Sequence, residues 1–202
     1  MGRKLVLASA SPRRSELLTQ LGVEFQVHPA DIDESVVSDE LPGDYVERMA
    51  REKAATVVSL YPANEYCVLA ADTTVVIDGD VLGKPRDHLD GLAMLARLSG
   101  RMHEVITALC LAGNGDTVSQ QVTTRVLFAS LDRETCEAYL STDEPWDKAG
   151  AYGIQGLGGA LVARIEGSYS NVVGLPLHET WQMLYQQGVE TGLQPKAEAG
   201  GN

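Results

Sequence analysis

A chain of 202 residues, 44% of them hydrophobic, can bury a core without staples and suits one domain or two closely fused lobes. Its formal net charge of -12, unrelieved by any basic stripe, argues against a polymeric nucleic acid partner but leaves room for a small anion where cations converge. No apolar run is long enough to span a bilayer and VLASA near the start is too short for a signal core; Cys67, Cys110 and Cys136 lack disulfide or zinc-ligand spacing, so a cytosolic chain without membrane contact is expected.

In chain order, Lys4 to Ala8 reads as a buried strand, followed by Ser11 as N-cap, Pro12 at the first helical position and a helix carrying Leu17, Leu18 and Leu21 up to Gly22. Glu24 to His28 alternates like a strand, and the acidic stretch Asp31 to Glu40 reads as a loop. A helix is expected from about Asp44, with Glu47 completing a capping box, and it places Val46, Met49, Ala50, Lys53, Ala54 and Val57 on one stripe. The apolar run Tyr66 to Ala71 ends at Asp72, which is expected at a strand end, and Thr74 to Ile77 continues as strand into an Asp78-Gly79 turn. A helix from about Asp90 to Leu98, a hairpin of Glu104 to Ala112 with Val118 to Ala129 across GNGD, and a helix capped by Asp132 follow. The remainder reads as an irregular glycine-rich segment from Asp147 to Gly159, a strand from Leu161 to Ile165, and a last helix from Leu177 to Gln187. The order of elements predicts an α/β fold, a mixed sheet flanked by helices with a cleft between two lobes. It forms a single domain over 1–188 with a polar, frayed tail over 189–202.

Several residues break the rules of their surroundings. Arg13 and Arg14 fall in the first turn of a helix, where the positive end of the helix dipole makes each unfavourable by about 0.3 to 1 kcal/mol. An anion bound there reverses the sign, with Ser9 and Ser11 hydroxyls and free backbone N–H groups beside the guanidinium groups; two solvated surface arginines are the bland alternative. Asp72, followed by Thr73 and Thr74, is either a turn residue or a carboxylate for a cation or a water. Glu34 offers a second hard oxygen donor, whereas Asp31, Asp33, Asp39 and Glu40 read as solvated, and the sequence does not choose among them. Lys53 on its apolar stripe either meets a partner or snorkels, and Lys84 of Gly83-Lys84-Pro85 is either a phosphate ligand or an ordinary loop lysine. The segment Lys148 to Gly159 fails both the Walker A and the GxGxxG patterns, yet glycine at that density permits close backbone approach. Gln155 within it needs partners, and backbone groups around Gly153 and Gly156 are expected to lock its amide. The four histidines show no HExxH or HxH spacing and no GxSxG elbow is present, so metalloprotease and serine hydrolase readings lose support.

The blocks ASASPRRSELL, AREKA, LAADTTV, GKPRD, LSGRMHEVITAL, DKAGAYGIQGLGG and GSYSNVVGLPL, in this order, resemble the Maf-like nucleotide pyrophosphatases nearly to Tyr185. That resemblance implies a fold similar to the inosine triphosphate pyrophosphatases and hydrolysis between the α and β phosphates of a nucleoside triphosphate, supported by Mg2+ or Mn2+. It implies Asp72 as proton acceptor, and Arg13, Thr73 and Gln155 as marks of the branch acting on dTTP and UTP. Ser9, Arg14, Lys53 and Lys84 fall where the family gathers phosphate contacts, and Glu34 with Asp72 where it holds metal; for Asp72, base and ligand stay open. A nucleotide-sensing regulator of septum formation or cell division without turnover, and the same chemistry on other modified nucleotides, are the alternatives. A homodimer is compatible with all of these readings.

Overall fold

The computed structural model describes residues 2–62, 64–113 and 115–193. The first half of the chain alternates strand and helix: β1 (Lys4–Leu7), α1 (Pro12–Gln20), β2 (Phe25–Val27), α2 (Pro42–Val58) and β3 (Tyr66–Ile77). β1 pairs in parallel with both β2 and β3, and the helices α1 and α2 lie in the crossovers that parallel pairing demands. Antiparallel pairing then takes over through β4 (Asp80–Leu82), β5 (Met102–Gly113), β6 (Asp116–Phe128) and β7 (Val162–Glu166). The resulting mixed sheet runs β2-β1-β3-β5-β6-β7, with β4 added beside β3. The helices α3 (His88–Leu98), α4 (Arg133–Leu140), α5 (Tyr169–Val173) and α6 (Leu177–Gln186) complete the described residues, so the expected mixed sheet flanked by helices is present.

Side-chain alternation along the strands divides the core. Leu5, Leu7, Cys67, Leu69 and Ala71 pack on one face with α1 and α6, through Leu17, Leu18, Met183 and Leu184. Val6, Val68, Ala70 and Cys110 face the other way, onto Val46, Ala50, Ala54 and Val57 of α2. Further along, Val75, Ile77, Val105 and Phe128 meet Leu95, Leu98, Cys136 and Leu140 of α3 and α4. Each of these three clusters contains one of the three cysteines, all buried and free.

Four expectations change. Asp72 does not end a strand: β3 is continuous over 12 residues and Asp72 pairs with Ala108 of β5 in its middle. The β-branched Thr73, Thr74, Val75 and Val76 suit the pleat, and β5 carries the pairing through. What does end there is the other neighbour, since β1 pairs only with Tyr66 to Leu69. Second, α2 begins at Pro42, with Leu41 as N-cap, because proline at N1 lacks only an N–H that the helix could not use. Glu47 therefore closes no capping box. It accepts hydrogen bonds from Ser119 (2.5 Å), Gln121 (2.8 Å) and Arg51 (2.8 Å), which hold its carboxyl down at about 2. Third, β4 and α5 are elements that the sequence pattern did not reveal. Fourth, the residues directly after Gly188 are docked: Val189 is buried and the Gly192 N–H donates to the Leu21 carbonyl at 2.7 Å. Residues 194–202 of the expected tail, and Asn114 of the expected hairpin turn, lie outside the described residues.

Candidate functional site

The cleft sits where β1 stops and β3 runs on. Consecutive residues of β3 point to opposite faces, so Asp72 is directed toward α2 and Thr73 toward α1 and α5. Between them they join two sets of charged groups around a cavity of about 630 Å³. Ser9, Arg13, Arg14, Glu34, Lys53, Asp72, Thr73, Lys84 and Gln155, drawn from six separate stretches of sequence, all line it.

Lys53 is where the helical period and the chemistry disagree. Its position on the buried stripe of α2 removes it from water, and an ammonium there needs compensation. It donates to Asp72 Oδ1 at 2.7 Å and lies 2.6 Å from Glu34 Oε1. The Lys53 and Asp72 side chains are only 9% and 13% exposed, Glu34 about half. Burial, the largest influence on Glu34, pushes its carboxyl up, but Lys53, Lys84 and Arg14 together bring it below its ordinary value. Two other acids of this loop turn elsewhere: Glu40 binds Arg48 at 2.6 and 2.7 Å, and Asp33 accepts the Ser35 N–H at 3.0 Å. Geometry thus selects Glu34 from a loop in which spacing selected none.

On the other side, α1 presents its N-terminus with Pro12 at N1, no acidic residue in its first turn, and no side-chain cap from Ser11. Ser9 Oγ accepts the Ser11 N–H at 3.2 Å. Arg14 donates to the Gly174 carbonyl (2.9 Å), Ser9 Oγ (3.2 Å) and Thr73 Oγ1 (3.1 Å). None of these acceptors is charged. Burial accordingly lowers the Arg14 pKa, with Asp72 opposing, and the guanidinium is oriented without being neutralised. Such a group at a helix N-terminus offers an anion both hydrogen bonds and favourable charge. Arg13 instead pairs with Asp147 at 3.0 Å, and Lys84 is exposed at the cleft wall.

Thr73 Oγ1 also meets Thr107 Oγ1 at 2.9 Å, and Thr107 donates to the Asn171 carbonyl at 3.1 Å. Asn171 is fully buried and its amide nitrogen donates to Val105 O and Thr124 Oγ1. Thr107 and Asn171 therefore brace the arginine from behind. Sequence reasoning missed both, although each lies within a quoted block; a buried Asn in a short segment beside glycine was the available signal. Gln155 reaches the cleft from the glycine-rich segment, but the lock expected for its amide is not there: it makes no side-chain hydrogen bond among the described residues.

Comparison with known protein families matches residues 4–187 to the Maf-like proteins. The chain belongs to that family. A dTTP/UTP pyrophosphatase of Methylobacillus flagellatus is 56% identical over 186 residues, 92% of this chain and 94% of the relative. One of the same description from Hahella chejuensis is 52% identical over 93% of this chain and 94% of its own length. A solved structure, the Staphylococcus aureus Ham1 protein, aligns over 63% of this chain and 72% of its own at 14% identity and a TM-score of 0.43. Membership in the Maf-like family spans β1 to α6, so every residue of the cleft falls inside the matched region. No helix among the described residues is long and apolar enough to cross a membrane.

Proposed function

We propose that this chain is a nucleoside triphosphate pyrophosphatase that hydrolyses dTTP and UTP to the nucleoside monophosphate and pyrophosphate. The observation that carries the reading is the juxtaposition, in one cleft, of an oriented but uncompensated Arg14 at a helix N-terminus with the Asp72–Lys53–Glu34 centre. The full-length relatives named for that activity support it.

The chemistry follows from what a triphosphate demands. Charge on the phosphates must be met before water can attack, and little covalent help is needed from the protein. Arg14, the free N–H groups of α1, Lys84 and Arg13 meet it, with Arg13 exchanging Asp147 for phosphate oxygen. Asp72 accepts the proton of the attacking water, and Lys53, donating to its Oδ1 at 2.7 Å, holds that carboxylate in place. A divalent cation such as Mg2+ or Mn2+ fits this donor set. Asp72 and Glu34 are hard oxygen donors that already converge on one positive centre, and phosphate oxygens and water complete such a coordination shell. Among the described residues no cluster of three or more His, Cys, Asp or Glu could hold a metal, so a cation held by these two carboxylates would depend on the substrate for further ligands. When bound, the cation would neutralise phosphate charge and order a water. Gln155 reads the uracil or thymine edge, accepting from N3–H and donating to O4.

The test is product analysis on dTTP, UTP and CTP with Mg2+ and with Mn2+. Pyrophosphate and monophosphate are expected, with the two uracil-type bases preferred. Diphosphate and orthophosphate would overturn the reaction class, and binding without turnover would make the chain a sensor.

A further inference from the structure

The glycines around Gln155 remain unexplained by phosphates or cations. Their neighbour is Glu144, in the turn region after α4, which does not itself line the cleft. Its Oε2 accepts the Leu157 N–H at 2.9 Å, and its Oε1 accepts both the Gly158 N–H and the Tyr139 hydroxyl at 2.9 Å. The same Tyr139 oxygen accepts the Gly153 N–H at 3.1 Å. Two bonded side chains thus hold the main chain before and after Gln155, a closed span of six residues from Gly153 to Gly158.

Glycine is required where this carboxylate comes closest. Gly156 has φ +76°, and a Cβ there would stand 2.6 Å from Glu144 Oε2. At Gly158 a Cβ would meet the Gly153 carbonyl at 2.2 Å and the Tyr139 hydroxyl at 2.7 Å. These close approaches are to protein atoms, so the density of glycine serves an internal clamp. Burial works against the Glu144 carboxylate, but Gly158, Tyr139, Leu157 and Lys148 hold it ionised, so the acceptor is present in the folded protein.

We propose that Glu144, through Tyr139 and the backbone N–H groups of Gly153, Leu157 and Gly158, is the positioning residue for base selection, fixing where Gln155 enters the cleft. This rests on the reading of Gln155 as the group that meets the base. The amide of Gln155 is free to flip, so the clamp acts on position: with the main chain pinned on both sides the amide approaches the base from one fixed depth and direction, whereas on a loose loop it could also shift to follow the cytosine edge. A displacement of about 1 Å is enough to cost on the order of 100-fold in a positioned reaction.

The experiment compares the full chain with Glu144→Gln and Tyr139→Phe. Amide hydrogen exchange is followed at residues 153–158 without nucleotide, and kcat/KM is measured for UTP, CTP and ribose 5′-triphosphate, which has no base. The Gln variant keeps the shape but sets an NH2 group against a backbone donor. Exchange at Leu157 and Gly158 is expected to quicken in Glu144→Gln, and at Gly153 in Tyr139→Phe. The UTP to CTP ratio should fall by roughly 10-fold in the former, while ribose triphosphate turnover falls far less. Unchanged exchange would show that there is no clamp, and faster exchange with an unchanged ratio would separate the clamp from base choice. Equal losses on all three substrates would reduce Glu144 to a general structural role. A wild type that releases pyrophosphate from none of them overturns the functional reading and with it the assignment to base choice, while exchange still decides the clamp. Should Glu144→Gln fail to fold, Tyr139→Phe reads the same ratio.

Discussion

Two carboxylate centres of this protein differ in what neutralises them. In the cleft, Asp72 and Glu34 share the Lys53 ammonium, a single side-chain cation. Behind the glycine-rich segment, Glu144 is met by two backbone N–H groups and a tyrosine hydroxyl. A charged side chain can be exchanged for another cation, whereas a backbone N–H remains where the fold puts it. The first arrangement suits the proposed role of this centre, in which phosphate, water and a cation would arrive in turn. The second suits one that must never change.

The hardest test of the first centre removes its charge while keeping its shape. Asp72→Asn is expected to lower turnover by at least about 100-fold, the lower range for general-base work, with the fold retained because the amide oxygen still accepts from Lys53 and Glu34 still offsets its charge. Retained pyrophosphate release would remove Asp72 from the chemistry, and loss of Mg2+ binding alongside activity would make it chiefly a ligand. Lys53→Met probes exchangeability. Two carboxylates are then left facing each other, and because Glu34 is half exposed the cost should reach only the lower end for a broken buried pair, about 3 kcal/mol. If another cation can replace the ammonium, Mg2+ should raise the melting temperature of Lys53→Met more than that of the wild type; an equal rise would deny the exchange.

The smallest effect separates the two centres by salt. Glu34 and Glu144 both have carboxyls below their ordinary value, so each contributes stability at pH above the usual carboxylate range that is lost as pH falls. Against burial, Glu34 is held down by a hydrogen bond from Lys53 and by the charges of Lys53, Lys84 and Arg14, whereas Glu144 is held down mainly by hydrogen bonds from Gly158, Tyr139 and Leu157, with only Lys148 adding charge. High salt screens exposed charges but not hydrogen bonds. In carboxyl-carbon NMR titrations at low and high salt, the Glu34 midpoint should move upward and the Glu144 midpoint should stay. Parallel movement would erase the distinction.

Legibility in the sequence followed the range of the interactions. The buried stripe of α2 was read correctly residue by residue, Lys53 included, because helical periodicity is local. The place of Asp72 was misread because the length of β3 is set by β5, whose Ala108 lies opposite it 36 positions away in the chain. Glu34 could not be chosen from its acidic loop until Arg48 claimed Glu40 and the Ser35 N–H claimed Asp33. Glu144 was invisible for another reason: bonds from a side chain to backbone groups 13 and 14 residues later leave no periodic trace. The five-residue α5 is too short for any period to register, and its Asn171 acts through the buried amide.

The one-cysteine-per-cluster arrangement makes this protein its own set of clocks. Cys67 marks the packing of α1 and α6, Cys136 that of α3 and α4, and Cys110 that of α2. Burial pushes the Cys110 thiol up to about 11 and raises that of Cys136, so neither reacts readily while its cluster is closed. A thiol reagent added under native conditions therefore records opening events rather than surface chemistry, and mapping which cysteine is labelled first reveals which part of the fold breathes most often. Loss of all three thiols at one common rate would mean that the clusters, although separate in space, open together as a single cooperative unit.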